Sequence, residues 1–261
     1  MGLWSSYLPP PILHTEIVFP NAKVLAFREH ANLSLTEFRL LADVSTNETA
    51  VKYANVSSEV MTLGVRKDPH SSTKVVHMPY LPLGDYCAVS IGLNGKQAVF
   101  TTTSCQRLPG VKETWHEESF DYFDLEILPW LNSTDRVQLV KHSALDTLAV
   151  MKYAPFANSV ESISHEIEIY RHLQNSNIAP RFLGQVSENG RVIGFLIEYI
   201  EDARLVSLSG GFSDLVIDKC KQSLEKLHHM NILHNNAHAN NCFLRNDGSA
   251  VLIDFEHATL A

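Results

Sequence analysis

The stretch ILHNNAHANNCFL (Ile232–Leu244), followed by VLIDFE (Val251–Glu256), decides the fold of this chain. Each stretch contains a short apolar run, and the turn sequence Asn246-Asp-Gly-Ser249 lies between the two runs, which predicts a β-hairpin. The asparagines at positions 235, 236 and 240 argue against a continuous helix through the first stretch. Amides and one carboxylate therefore flank a predicted hairpin.

Four polar residues of these stretches have a recognisable spacing, H-x-N-x-x-x-x-N with an aspartate thirteen residues later: His234, Asn236, Asn241 and Asp254. This pattern resembles the catalytic loop and metal site of the protein-kinase-like fold. The resemblance implies that Asn241 and Asp254 hold Mg²⁺ and that His234 packs as the structural histidine of the loop. Asn236 stands where such a fold has the catalytic aspartate.

The amide at position 236 keeps the shape of a carboxylate, but it carries no charge and cannot take a proton. A positioned general base contributes about 10²- to 10⁴-fold to a rate. We therefore expect either that the protein lost phosphoryl transfer or that a laboratory change replaced an aspartate by Asn236. His238 is a candidate substitute base, because imidazole titrates near neutrality. A metal pair formed by His234 and His238 is the less favoured alternative.

The resemblance covers about 140 residues, from 120 to the end of the sequence, and it also assigns residues upstream of the loop. It implies that Lys152, at the end of a predicted strand, holds the phosphates of Mg-ATP and that Glu166, on a predicted helix, is its partner. The hinge strand would run from Glu198 to Ile200, with its backbone facing adenine. Among kinase-like proteins, the chain resembles the aminoglycoside and choline kinase branch and short kinase-like proteins of fungi.

The sequence departs from that pattern in two further places. No glycine occurs from 111 to 183, so the segment Asn132-Ser-Thr-Asp135 stands where a glycine-rich loop would cover the phosphates, and Asp135 would repel them. The sequence also ends seven residues after Asp254. We therefore expect a C-lobe that is truncated to a minimal remnant.

The first part of the chain has a different character. Residues 1–20 are rich in proline and predict an extended arm, and residues 21–112 predict a β-rich region of no recognised family. Its predicted strands include Val60–Leu63, and Asn94-Gly95 predicts a hairpin. The predicted fold class is α+β, with an antiparallel β-rich N-terminal region followed by a kinase-like N-lobe and a minimal C-lobe remnant in 113–261.

Composition narrows the function classes. The net charge of −8 and the absence of a basic run argue against nucleic acid and membrane as partners, which leaves a small-molecule ligand. Neither a membrane span nor a signal peptide is visible, so the expected location is cytoplasmic. The four cysteines form no C-x-x-C pair, which favours reduced thiols over a disulfide.

Three functional hypotheses follow from the sequence. The leading one is a compact pseudokinase with lost or impaired phosphotransfer that still binds Mg-nucleotide. The second is a kinase fold repurposed in specialised metabolism, which cyclises or rearranges a small apolar metabolite without ATP or any other cofactor. The third is a small-molecule kinase that carries an inactivating change of aspartate to Asn236. As an enzyme, the protein would be a small-molecule phosphotransferase or a biosynthetic cyclase.

Overall fold

The fold is that of a computed structural model, which describes residues 15–66, 74–129, 134–201, 204–205 and 214–261. The chain divides into two compact units between Leu108 and Pro109, four residues before the expected start of the second region at 113. Strand outweighs helix in the described residues, which confirms the α+β class. None of the described helices is both long enough and apolar enough to cross a membrane.

The N-terminal unit ends at Leu108 and consists mainly of strands. Its described elements are β1 (Thr15–Val18), β2 (Ala22–His30), β3 (Leu35–Ser45), β4 (Glu48–Ser57), α1 (Ser58–Met61), β5 (Val65–Arg66), β6 (Lys74–His77), β7 (Ala88–Asn94) and β8 (Gln97–Ser104). They form a five-stranded sheet in the order β2-β3-β4-β7-β8 and a three-stranded sheet in the order β1-β6-β5. Buried side chains such as Phe38, Leu40 and Ile91 build its core.

The large sheet of this unit is mixed, whereas the sequence predicted an antiparallel one. β4 pairs in parallel with β7, because α1, β5 and β6 lie between them in the chain and give the connection that a parallel pair needs. The hairpin predicted at Asn94-Gly95 is confirmed, since β7 and β8 pair in antiparallel fashion and Gly95 has a φ of +63°.

Two N-terminal expectations concern short segments. The strand predicted at Val60–Leu63 is wrong: α1 begins at Ser58, after the extended Ser57, and buries Val60 in the core. Residues 1–14 of the arm expected over 1–20 lie outside the described part of the chain. The last part of the arm forms β1, which pairs in parallel with β6.

The C-terminal unit begins at Pro109 and contains two longer helices. Its described elements are β9 (Ser119–Asp121), β10 (Glu126–Leu128), β11 (Val137–Lys141), β12 (Ala149–Tyr153), α2 (Val160–His172), β13 (Phe182–Glu188), β14 (Arg191–Glu198), β15 (Arg204–Leu205), α3 (Asp214–His229), β16 (Ile232–Leu233), β17 (Cys242–Leu244), β18 (Ala250–Leu252) and β19 (Thr259–Leu260). A six-stranded sheet has the order β10-β11-β12-β14-β13-β9.

The helix α2 packs its apolar face into the core of this unit. The helical spacing of Ile163, Ile167, Tyr170 and Leu173 in the sequence predicts this face, and all four side chains are buried. They join one cluster with Phe195 of β14 and with apolar side chains of α3 and the β17–β18 hairpin. This packing fixes α2 beside the sheet and brings both next to the segment that follows β18.

The cysteines differ from the expectation of reduced thiols. Cys220 on α3 and Cys242 at the start of β17 form a disulfide, although 22 residues separate them in sequence. The bond follows from the packing of α3 against the hairpin, which the absence of a C-x-x-C pair could not reveal. Cys87 and Cys105 of the N-terminal unit are free thiols.

Candidate functional site

A cavity of about 490 Å³ lies in the C-terminal unit. Its wall contains side chains of β11, β12, α2, β14 and β17 together with the segment after β18. Six of the residues singled out in the sequence line it: Lys152, Glu166, Glu198, Ile200, Asn241 and Asp254. A pocket with charged groups at one end and apolar walls has the general character of a small-molecule site.

Lys152 is the centre of the charged end. Its Nζ lies 2.7 Å from Glu166 Oε2, 2.6 Å from Asp254 Oδ1 and 2.9 Å from Glu256 Oε1. Burial opposes the charged form, but the adjacent carboxylates outweigh it, so the pKa of Lys152 is raised. The ammonium therefore stays charged across the neutral range.

Glu166 is held in the interior by α2 and by the backbone. Its side chain is only 2% exposed, and its Oε1 accepts a hydrogen bond of 3.1 Å from the N–H of Phe255. Complete burial raises the pKa of Glu166, and the charge of Lys152 only partly offsets this. Because a buried carboxylate without a cation is costly, the pair with Lys152 is needed for the fold as well as for any function.

Asp254 occupies an uncommon backbone conformation directly after the strand β18. Its φ is +65°, in the left-handed region that non-glycine residues rarely adopt. Burial works against its charge, but Lys152 more than compensates, so the pKa of Asp254 is lowered and the side chain is a carboxylate at neutral pH. Such conformations concentrate at functional sites, where the surrounding structure holds them in place.

The loop before β17 brings Asn236 and Asn241 to Asp254. Asn241 lies in a 3-10 helix, Ala239–Asn241, and its Nδ2 donates to the backbone carbonyl of Asn236 at 3.0 Å. Asn236 Nδ2 lies 3.4 Å from Asp254 Oδ2. The amide nitrogen of Asn241 is thus engaged, which leaves its Oδ1 as an oxygen ligand of the type that Mg²⁺ prefers. Together with the Asp254 carboxylate, it gives a donor set that fits this ion.

His234 is part of the core. It is 1% exposed, its Nε2 donates to the carbonyl of Ile253 at 3.0 Å, and its ring lies 5.0 Å from that of Phe255. Burial lowers the pKa of His234, so the imidazole is neutral at physiological pH. These contacts connect the start of the loop to the segment that carries Asp254.

His238 has a different position. It is exposed, its Nδ1 accepts a hydrogen bond of 3.3 Å from the N–H of Asn240, and its Nε2 lies 3.4 Å from Asn241 Nδ2. It does not line the charged cavity but a separate groove of about 300 Å³, together with the disulfide. The structure therefore brings His238 to Asn241 but not to Lys152.

Glu198 and Ile200, which were expected to form the hinge, also line the cavity. Glu198 pairs with both terminal nitrogens of Arg245, at 2.8 and 2.9 Å, and accepts a hydrogen bond of 3.1 Å from the N–H of Arg181. The bond to Arg245 lowers the pKa of Glu198. Its carboxylate is therefore used within the chain, and a ligand would meet the backbone, Tyr199 or Ile200 here.

The cavity residues that the sequence analysis did not predict as site residues include Arg136, Tyr170 and Glu256. Glu256, two residues after Asp254, contacts both Lys152 and Arg136. The hydroxyl of Tyr170 is buried and has no hydrogen-bond partner among the described residues. The Asp-x-Glu spacing was a signal for Glu256. Arg136 gave no sign, because only strand pairing places it beside Lys152.

The comparison with protein families concerns the same region of the chain. The model described as Lipopolysaccharide core biosynthesis protein (WaaY) matches residues 186–259. This family is kinase-like. The matched segment contains the loop from His234 to Asn241 and also Asp254, but it is less than a third of the chain, so the similarity is one of this segment. No curated protein matches the chain.

The family match corrects one expectation. The relation to the aminoglycoside and choline kinase branch and to short fungal kinase-like proteins is wrong, because the matching model belongs to a different kinase-like family. The residues that suggested the relation perform the same task wherever a fold holds phosphates and Mg²⁺. Their spacing is therefore similar to that of kinase-like loops in general and does not distinguish the branches.

Proposed function

We propose that the C-terminal unit is a kinase-like domain that binds Mg-nucleotide and in which phosphoryl transfer is lost or strongly impaired. The contact of Lys152 with both Glu166 and Asp254 at the wall of the cavity carries this proposal. Lys152 lies on β12 and Glu166 on α2. Asp254, which is 102 positions after Lys152 in the sequence, meets them at the same place. The match of residues 186–259 to a kinase-like family supports it.

The nucleotide would lie along the cavity, with its phosphates at the charged end. Lys152 supplies a fixed positive charge for the phosphates, and Glu166 keeps that charge in position. Asp254 and the Oδ1 of Asn241 offer the oxygens that hold Mg²⁺, which neutralises phosphate charge when bound. The apolar side chains at Val150, Ile197 and Phe243 line the same cavity and suit the flat face of a base.

Transfer is impaired because Asn236 cannot accept a proton from an attacking hydroxyl. Its amide nitrogen lies 3.4 Å from the Asp254 carboxylate, so the side chain can position groups in the site without acting as a base. The loss of a positioned base lowers a rate by about 10²- to 10⁴-fold. Binding depends on other residues and is retained.

No observation favours the cyclisation of an apolar metabolite, since five basic or acidic side chains line the cavity besides Glu198: Arg136, Lys152, Glu166, Asp254 and Glu256. The hypothesis of a kinase inactivated at position 236 has a direct test. The variant Asn236→Asp should then turn over ATP at least about 100-fold faster than the parent chain. Turnover that disappears in His238→Ala, but not in Asn236→Ala, would make His238 the base instead.

Calorimetric titration with Mg-ATP tests the proposed binding. We expect the parent chain to bind and Asp254→Asn, which keeps the side-chain shape but removes its charge, to bind at least about tenfold more weakly. Lys221→Ala is the control, because Lys221 is exposed on α3 and does not line the cavity. Equal binding by the parent chain and Asp254→Asn would remove the proposal, as would the absence of binding at millimolar Mg-ATP.

A further inference from the structure

A carboxylate bridges two cations at the charged end of the cavity. Glu256 Oε1 lies 2.9 Å from Lys152 Nζ and 3.0 Å from an Nη of Arg136, and Glu256 Oε2 lies 3.4 Å from the other Nη of Arg136. The guanidinium thus faces both oxygens of the carboxylate. A phosphoryl group presents oxygens to a guanidinium in the same two-point manner.

We propose that Arg136 and Lys152 form a phosphoryl-binding site and that the Glu256 carboxylate occupies the position that phosphoryl oxygens take when a polyphosphate binds. The inference rests on the proposed function and adds to it the residue that replaces a glycine-rich loop. Glu256 is then an internal competitor of the ligand. Its removal tightens binding, which is the opposite of what removal of a metal ligand does.

The backbone places Arg136 for this task. It directly precedes β11, and its carbonyl accepts a hydrogen bond of 2.9 Å from the N–H of Tyr153, the residue after Lys152. Its guanidinium also donates to Ser162 Oγ on α2 at 3.0 Å. Its Nε is buried and has no hydrogen-bond partner among the described residues. The side chain is therefore anchored beside Lys152, with its two terminal nitrogens towards Glu256.

Three carboxylates surround Lys152, and a phosphoryl group that binds this lysine must displace one of them. Glu166 is buried and accepts a backbone hydrogen bond, which holds it in place. Asp254 is also part-exposed, but it is the proposed ligand of Mg²⁺. Glu256 is part-exposed as well, and both of its ion pairs are with the two cations that the phosphoryl group would take over. It is the carboxylate that can swing out without leaving a buried charge behind.

The pair of Arg136 and Lys152 also provides what the glycine-free segment around it lacks. No glycine is available from 111 to 183 to bring backbone N–H groups onto phosphate. A guanidinium at position 136 supplies several N–H donors and a charge in their place. The site thereby binds phosphate through the side chains of Lys152 on β12 and of Arg136, which directly precedes β11, rather than through the backbone of a glycine-rich loop.

Titrations with Mg-ATP and with inorganic tripolyphosphate test the inference. Glu256→Gln should bind both probes about tenfold more tightly than the parent chain, and Arg136→Met should bind them about 10- to 100-fold more weakly. Arg136→Lys keeps the charge but loses the two-point contact, so its affinity should lie between those of Arg136→Met and the parent chain. Adenosine, which lacks phosphate, should bind all variants alike, and a cooperative thermal transition shows that each variant is folded.

The double variant Arg136→Met with Glu256→Gln provides the matched control. If Glu256 competes through Arg136, the gain from Glu256→Gln should shrink in the absence of Arg136, as contacting residues show in double-mutant cycles. Weaker binding by Glu256→Gln, or affinities within twofold for all variants while Asp254→Asn loses binding, would overturn the inference and leave the proposed function standing. Tripolyphosphate binding with the expected order but no ATP binding would overturn only the proposed function. Binding of neither probe by any folded variant would overturn both.

Discussion

Each unit of the chain has a lysine on an inner strand of its sheet, buried at Lys52 and part-buried at Lys152, and the two lysines have different surroundings. Lys52 on β4 donates a hydrogen bond to the carbonyl of Tyr86 and lies 4.5 Å from the centre of its ring. Lys152 on β12 contacts three carboxylates and lines a cavity. Burial of a lysine is therefore not in itself a sign of function. The sign is a set of anionic partners that face space for a ligand.

Replacement of each lysine by methionine should separate these two roles. Lys152→Met leaves Glu166 and its neighbouring carboxylates without their shared cation, and we expect the free energy of unfolding to fall by about 3–5 kcal/mol. Lys52→Met leaves one carbonyl without its donor and should cost about 1–3 kcal/mol. Urea unfolding followed by circular dichroism measures both. Equal losses would mean that the carboxylates do not depend on Lys152.

The two units also differ in their cysteines: the N-terminal unit has two free thiols, and the C-terminal unit has a disulfide. Loss of the bond between Cys220 and Cys242 should cost about 2–4 kcal/mol, because the unfolded chain regains the freedom of a closed loop. The thermal midpoint of the parent chain should accordingly fall on reduction and in Cys220→Ser. Cys105→Ser is the control, since Cys105 is exposed and unpaired. A midpoint insensitive to reductant would show that the bond does not form.

Replacement of a strand glycine by alanine should cost more stability in the C-terminal unit than in the N-terminal unit, and both losses should be smaller than that of the disulfide. A methyl group on Gly194 of β14 would lie 2.5 Å from the carbonyl oxygen of Lys152 and 2.6 Å from Cβ of Tyr153. On Gly92 of β7 it would approach Cγ2 of Thr101 at 3.3 Å. We expect Gly194→Ala to cost about 1–3 kcal/mol and Gly92→Ala less than about 1 kcal/mol, by urea unfolding. A larger loss for Gly92→Ala would contradict the packing described for β12 and β14.

The sequence predicted local features better than the partners of those features. The Asn94-Gly95 turn and the buried face of α2 depend on residues close together in the chain, and both are confirmed. The sequence predicted no strand over β4, because apolar and polar residues do not alternate regularly in its segment ETAVKYANVS. The parallel pairing of β4 with β7 likewise depends on a connection that no local pattern encodes.

The same limit applied to the candidate site. Lys152, Glu166, Asn241 and Asp254 were selected because their spacing resembles one type of loop and strand, and the structure brings them together. Arg136 could not be found in that way, because its place beside Lys152 follows from the pairing of β11 with β12. The disulfide between α3 and β17 was missed for the same reason. Long-range packing decides both, and sequence spacing does not record it.

The most direct test of the proposed nucleotide site is the thermal unfolding of the parent chain and of Asp254→Asn, with and without Mg-ATP. A ligand that binds only the folded state stabilises it by about 2.7 kcal/mol at a hundredfold excess over its Kd. For the parent chain we expect the midpoint of the C-terminal unit to rise by roughly 5–10 °C, and for Asp254→Asn we expect a much smaller rise. No rise in the parent chain at millimolar Mg-ATP, or the same rise in both chains, would contradict the assignment of the cavity to nucleotide.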